Sequence, residues 1–267
     1  MAARRILAPV IASLALAAVA CAAQYEGRNR WAQYEPEMQD PIPDPPDARV
    51  EAEFAVGRLR FRSPFDGFRR RRWGTDANKG DRIFSAMLRR LTRVNVRSIE
   101  QIVDIGSDDM YDWPWMFAVG VGDWDLNDDE VRRMRNYFDR GGFLMVDDFH
   151  NEREWAVFAA GISRILPNSR IIELSVSDPI FHTSFDINEL YQVSGLNILS
   201  GSPSERGGIV PHWRAVVDEK GRVQVAIDFN MDVGDSWEWA DYPPYPEKLS
   251  SLGMRMGINY VTYAMTH

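Results

Sequence analysis

Two hydrophobic periods alternate along the chain, and together they predict its elements. Phe54, Val56, Leu59 and Phe61 predict a first strand, with Arg58, Arg60 and Arg62 on its other side. From Asp81 the spacing turns helical, because Ile83, Phe84, Met87, Leu88 and Leu91 fall on one face of a 3.6-residue period. A short strand near 99–105 follows, then Trp115 to Val121, an apolar run of strand length between Pro114 and Gly122. Asn127 and Glu130 have capping-box spacing ahead of a helical stripe of Val131, Met134 and Phe138, which Gly141-Gly142 ends. Phe143 to Val146 is a fully apolar strand. Trp155, Phe158, Ala159 and Ile162 mark another amphipathic helix, and Ile171 to Leu174 the next strand.

After residue 185 the pattern loosens into Gly-, Ser- and Pro-containing loops between 195 and 208. Arg214 to Val217 and Val223 to Ile227 flank Asp218-Glu219-Lys220-Gly221-Arg222 as a hairpin. Leu249, Leu252 and Met256 begin a closing helix in which Gly253 and Gly257 allow close packing. Strands and helices thus alternate at βαβ spacing, and nearly continuous apolar strands suit a sheet covered on both faces. The predicted fold class is α/β: a three-layer, mainly parallel doubly wound sheet with a C-terminal hairpin and a closing helix. It occupies residues 50–267 as a single domain.

The N-terminus carries a different signal. Arg4 and Arg5 precede an apolar run from Ile6 to Ala20, then small residues around Cys21, which reads as a secretory signal peptide over residues 1–23. The run is shorter than the ~20 residues a bilayer span requires, so no transmembrane span is expected in the mature chain. Ala18-Val19-Ala20 and Ala20-Cys21-Ala22 both offer ordinary cleavage patterns; the alternative is a lipoprotein anchored through Cys21. Residues 24–49 are proline-dense and acidic, the composition of an extended linker. The protein is therefore expected to be exported, periplasmic or extracellular.

Composition then removes several functions. With 31 Lys+Arg against 39 Asp+Glu, the formal charge of -8 gives no global attraction to nucleic acid. Cys21 is the sole cysteine, so cleavage beyond it leaves no thiol for a disulfide, a thiolate metal site or a cysteine nucleophile. The chain contains no dinucleotide-binding GxGxxG after a strand, no P-loop, no HExxH and no GxSxG elbow. The Arg69 to Arg72 run reads as a solvated loop or, alternatively, as a contact for an anionic partner.

Candidate chemistry lies where doubly wound sheets bind ligands, beyond the carboxyl ends of the strands. Asp76 follows the first strand, and Asp147, Asp148 and His150 follow the apolar strand 143–146. The last three have the chemistry of a general base or metal ligands, or Asp147 or Asp148 caps the helix beginning near Glu152. A second cluster, Asp232, Asp235, Trp237 and Glu238, interleaves carboxylates with indoles. It has the composition of a cation loop or a sugar-binding face without EF-hand spacing, and buried tryptophan packing is its alternative reading.

The segment Gly141-Gly142-Phe143-Leu144-Met145-Val146-Asp147-Asp148-Phe149-His150 resembles the bacterial domain-of-unknown-function family numbered 4159. So do Asp228 to Trp237-Glu238 and the ending Gly257 to His267. The resemblance covers roughly residues 52–267. It implies a flavodoxin-like sheet related to class I glutamine amidotransferase-like domains, and it supplies no catalytic residues. Such amidotransferases carry a nucleophilic cysteine at a strand-to-helix elbow. The matching turn here, Asp147 to His150, has none, which excludes glutaminase chemistry of that type.

The expected function is a binding module for a polar small molecule, a glycan or an envelope protein partner. Asp76, Asp147, Asp148 and His150 form the floor, and Asp232, Asp235, Trp237 and Glu238 reach over it. The alternatives are a metal-assisted hydrolase using the same carboxylates with a divalent metal ion as cofactor, and a structural envelope component.

Overall fold

The computed structural model describes residues 44–65 and 72–267. The predicted leader, most of the 24–49 linker and Arg69 to Arg71 lie outside the described residues. Seven strands, β1 Gly57–Arg60, β2 Gln101–Asp104, β3 Trp115–Val119, β4 Phe143–Asp147, β5 Arg170–Glu173, β6 His212–Val217 and β7 Val223–Phe229, form one sheet. The helices are α1 Lys79–Leu91, α2 Asp128–Asp139, α3 Asn151–Ile165, the short α4 Val233–Glu238 and α5 Glu247–Thr266. The strand order is β2-β1-β3-β4-β7-β6-β5. Only β6 runs antiparallel to its neighbours; every other pairing is parallel.

Three layers follow from the strand period of two. Trp115, Phe117, Phe143 and Met145 enter one core with Phe84 and Leu88 of α1, Trp237 of α4 and Leu252, Met256 and Tyr260 of α5. The residues between them, Met116, Ala118, Leu144 and Val146, enter the opposite core with Met134 and Phe138 of α2 and Phe158 and Ile162 of α3. Because β3 and β4 feed both cores, they are apolar at nearly every position.

The predicted first strand departs from its simple alternation. Phe54 and Val56 belong to one core, whereas Leu59 and Phe61 belong to the other, since the even and odd positions point oppositely. Arg58 therefore shares the face of Val56. It is fully buried against Asp81 of α1, with Nη2 2.6 Å from Oδ1.

The hairpin also changes the sheet. β7, wholly buried, takes the place beside β4, with Leu144 opposite Val225 and Val146 opposite Ile227. β5 would have stood there in a strict βαβ succession, but it is mostly exposed and forms the far edge next to β6. Charged residues at both its ends suit an edge and not a central strand. The first five positions, β2-β1-β3-β4-β7, retain the flavodoxin-like arrangement. The chain steps to opposite sides of β1 in making β2 and then β3, so the switch in strand order lies there.

The last residues of the linker rest on the domain. Asp44 pairs with Arg82 of α1 at 2.9 Å, and Asp47 pairs with Arg89 at 3.0 Å and accepts from Ser98 Oγ at 2.6 Å. On α2 the capping box is complete: Asn127 Oδ1 accepts from the Glu130 amide at 2.9 Å and Glu130 Oε2 from the Asn127 amide at 2.8 Å. Asn127→Ala should therefore lower stability by about 0.5–2 kcal/mol, read as a shift of the urea midpoint without a change of slope.

Candidate functional site

Four segments meet at the carboxyl edge of the sheet. They are the β1–α1 loop with Arg72 and Asp76, the β4–α3 elbow with Asp148 and His150, the 195–208 loop with Glu205 and Arg206, and the β7–α4 turn from Asn230 to Asp235. The backbone here is unusual. All non-glycine residues with positive φ among the described residues, Asp76, Asn78, Asp148, Asn151, Arg206 and Asn230, belong to these segments or begin the helices after them. Asn and Asp tolerate the left-handed region, but Arg does so only under constraint, and such residues gather where a site is held in shape.

At the elbow, Asp148 adopts φ 49° between β4 and α3. Neither Asp147 nor Asp148 caps the helix. Asn151 Oδ1 accepts from the amides of Arg153 and Glu154, and Glu154 Oε2 accepts from the His150 amide at 2.7 Å. Asp148 is thereby released for other contacts. Its Oδ1 accepts from Arg206 Nη2 at 2.6 Å and lies 3.2 Å from His150 Nε2; its Oδ2 is 3.5 Å from Arg72 Nη2. Burial works against its charge, but Arg206, Arg72 and His150 prevail and hold Asp148 well below the usual carboxylate range. Arg72, read from sequence as part of a solvated run, is buried and also donates to the Asp148 carbonyl at 2.9 Å.

Asp147 turns elsewhere. Its Oδ2 accepts from the Gly234 amide at 2.7 Å, while its Oδ1 has no hydrogen-bond partner. The β4–β7 register places Asp228 beside it on the neighbouring strand. Asp228 accepts from Tyr260 Oη at 3.0 Å through Oδ1, and its Oδ2 is likewise unpartnered. Burial, then the charge of Asp228, pushes Asp147 well up, and burial pushes Asp228 up to about 7. These two buried carboxyls form a dyad under the cluster, outside the groups of converging metal-type donors.

Asp76, Asp232 and Asp235 form no salt bridge among the described residues. Asp232 caps α4 by accepting the Asp235 amide at 2.9 Å, and Asp235 accepts from the Leu196 amide at 2.6 Å and Trp239 Nε1 at 3.1 Å. Burial and then the neighbouring carboxylates raise Asp76 and Asp232 well above the ordinary range, and burial above all raises Asp235. Burial and Asp148 bring Glu205 up to about 7. Among the described residues three sets of donor atoms each lie within 4.8 Å of one another: Asp148, His150 and Glu205; Glu205, Asp232 and Asp235; Asp76, Asp235 and Glu238. Glu205 and Asp235 belong to two sets each, so the three are continuous.

The structure thus brings together Asp76, Asp148, His150, Asp232, Asp235 and Glu238. It separates Trp237, which is fully buried and stacked on Phe84 at 4.2 Å and 14°, a core side chain with no face for a ligand. Glu205 and Arg206 complete the cluster without having been singled out in the sequence; Arg72 joins it from the 69–72 basic run and Asn230 from the 228–238 segment. Asn230 ties it together, accepting from the Asn151 amide at 3.0 Å and donating to the Val210 carbonyl at 2.7 Å.

The chain matches the family described as domain of unknown function (DUF4159) over residues 55–265, and it belongs to that family. No curated protein matches it.

Proposed function

We propose that this DUF4159 domain is an exported binding module that holds a polar small molecule, a glycan or an envelope protein partner at the carboxyl edge of its sheet. The observation that carries this reading is the convergence of Asp76, Asp148, His150, Glu205, Asp232, Asp235 and Glu238 with Arg206, from four separate segments, into one continuous donor set. Hydrogen-bonding groups this dense match a hydroxyl-rich ligand better than an apolar one. Export rests on the leader pattern before residue 24, and mass spectrometry of the mature N-terminus tests it. An intact Met1 in a cytoplasmic fraction contradicts it.

Thermal unfolding of the mature chain with a panel of polyols and envelope glycans tests the binding itself. A ligand at a hundred times its Kd should stabilise the wild type by about 2.7 kcal/mol. Glu205→Gln should abolish that gain while melting close to the wild type, because among the described residues the Glu205 carboxylate's only salt bridge is the 3.3 Å contact with Arg206. If no member of the panel shifts the wild type, the reading fails.

A second reading, metal-assisted hydrolysis, is favoured by one feature, the Asp148–His150 contact at a left-handed strand-to-helix elbow. Turnover of ester substrates that is lost in His150→Gln, with glycan binding retained, would separate it from the first.

A further inference from the structure

We propose that the carboxyl-edge cluster is a centre for hard divalent cations, with one position at Glu205, Asp232 and Asp235 and an adjoining one at Asp76, Asp235 and Glu238. This inference rests on the reading that the same cleft is the functional site, and it assigns that site its cofactor class.

Gly195 supplies the first argument. A Cβ built on it would stand 2.6 Å from Asp232 Oδ2, 2.6 Å from Asp235 Oδ2 and closer still to Glu205 Oε1. Three carboxylate oxygens therefore turn toward one gap that only a glycine leaves open. One ligand atom from each of these three acids lies within 4.8 Å of the others, a spacing that the 2.3–2.6 Å shell of a calcium-sized ion can span, with the ion on the side away from the Gly195 backbone. Among the described residues no hydrogen-bond donor reaches Asp232 Oδ2 or Glu205 Oε1; the bonds of Asp232 and Glu205 are made through their other oxygens.

Asp76 supplies the second, independent argument. It is 3% exposed, and among the described residues no N–H or hydroxyl donor reaches its Oδ2, although Asp76 lies against the Asp235 side chain and shares a 4.8 Å group of donor atoms with Asp235 and Glu238. A buried carboxylate oxygen left unpaired costs on the order of 1–3 kcal/mol or more, and a cation is the partner that the surrounding acids can hold in common. Gly234 makes the room, since a Cβ there would collide with that same oxygen. Among the described residues Arg72 and Arg206 do not serve this purpose, being spent on Asp148, Glu154 and Glu205, and Arg58 is spent on Asp81.

The donor chemistry names the class of ion. Both positions offer oxygen only, which suits Ca²⁺, Mg²⁺ or Mn²⁺ and disfavours Cu²⁺ and thiolate-seeking metals. Asp235 is common to both positions, so it bridges two ions and sets them side by side.

Titration calorimetry of the full mature chain with Mn²⁺, and separately with Ca²⁺, after chelator treatment and at pH 8, tests the proposal. The wild type should bind two equivalents. Gly195→Ala is compatible with the backbone, whose φ is -69°, and should fold, but its methyl group enters the gap. It should weaken the first position by about 10- to 100-fold. Asp235→Asn should lose both equivalents, and Glu205→Gln should lose the first even if Gly195→Ala fails to express. No uptake by the wild type, or a Gly195→Ala protein that binds like the wild type, overturns the proposal. Glycan stabilisation in chelator with no cation uptake overturns it too while leaving the binding-module reading standing. Cation uptake with no glycan stabilisation supports the centre and counts against the glycan.

Discussion

Asp81→Ala is expected to destabilise the domain by about 3–5 kcal/mol, because it leaves Arg58 charged and alone in the core. Both side chains are fully buried, and the guanidinium reaches Asp81 through two bonds, Nε to Oδ2 at 3.1 Å and Nη2 to Oδ1 at 2.6 Å. Its other direct contacts carry no charge: the Phe117 ring lies 4.6 Å below it and the Thr75 carbonyl accepts from Nη1 at 3.0 Å. Asp81 also stands in the first turn of α1, where the helix dipole favours a carboxylate. The Thr75 contact carries the effect to the site, since Thr75 precedes Asp76. Urea unfolding with an unchanged slope would measure the loss, and the Arg58→Met, Asp81→Leu double variant should recover most of it. A single-variant loss below about 1 kcal/mol would show that Arg58 finds another partner.

Arg58 also illustrates what the sequence does and does not disclose. Hydrophobic periodicity announces a buried strand or an amphipathic helix whenever one face is apolar, which is why α1, α2, α3, β3 and β4 are legible residue by residue. An arginine within such a strand reads as solvent-facing, because periodicity carries no information about a partner 23 positions away. Sheet order is equally hidden. β5 follows α3 at normal spacing, and only the full burial of β7 against the exposure of β5 shows which one belongs beside β4.

For the site, carboxylates at strand ends were visible because doubly wound sheets bind ligands there, and Asp76, Asp148, Asp232 and Asp235 do converge. Glu205 and Arg206 were not visible. They sit in an aperiodic Gly-Ser-Pro loop, and what places them is a set of bonds from elsewhere: Asn151 Nδ2 to the Arg206 carbonyl at 3.1 Å and Gln192 Nε2 to the Gly208 carbonyl at 3.0 Å. Trp237 failed as a ligand platform for the complementary reason. Its indole falls on the face of α4 that meets α1, and composition alone cannot assign a face to a six-residue helix.

The stability of the cation-free protein should fall as pH rises from about 4 to 8, and the Asp147–Asp228 dyad is one cause that a single substitution can isolate. Asp147 ends β4 and Asp228 is the last residue but one of the neighbouring parallel strand β7; each has one oxygen bonded, to Gly234 and Tyr260 respectively, and its other oxygen buried without a donor among the described residues. Burial without a donor favours the protonated acid at both positions, and the charge of Asp228 adds to this at Asp147, so the folded state retains a proton that the unfolded chain gives up near the ordinary carboxylate value. The sign follows from that difference. A carboxyl raised in the folded state contributes stability that is complete below the unfolded value of 3.8 and lost as pH passes the folded value, about 7 for Asp228. A shift of that size corresponds to about 4 kcal/mol for the dyad as a unit. Asp76, Asp232 and Asp235 are raised too and act in the same direction, whereas Asp148 is depressed and loses its contribution only under acid conditions. Asp228→Asn supplies the discriminating measurement. An amide at 228 can accept from Tyr260 and donate to Asp147 at every pH, so urea midpoints in chelator should decline less between pH 5 and 8 than those of the wild type. Mn²⁺ should restore more stability at pH 8 than at pH 5, because protons and cations compete for the neighbouring acids. A wild-type profile that is flat or rising between pH 5 and 8 in chelator would rule out the retained proton, and an Asp228→Asn profile as steep as the wild type would move its origin to other acids.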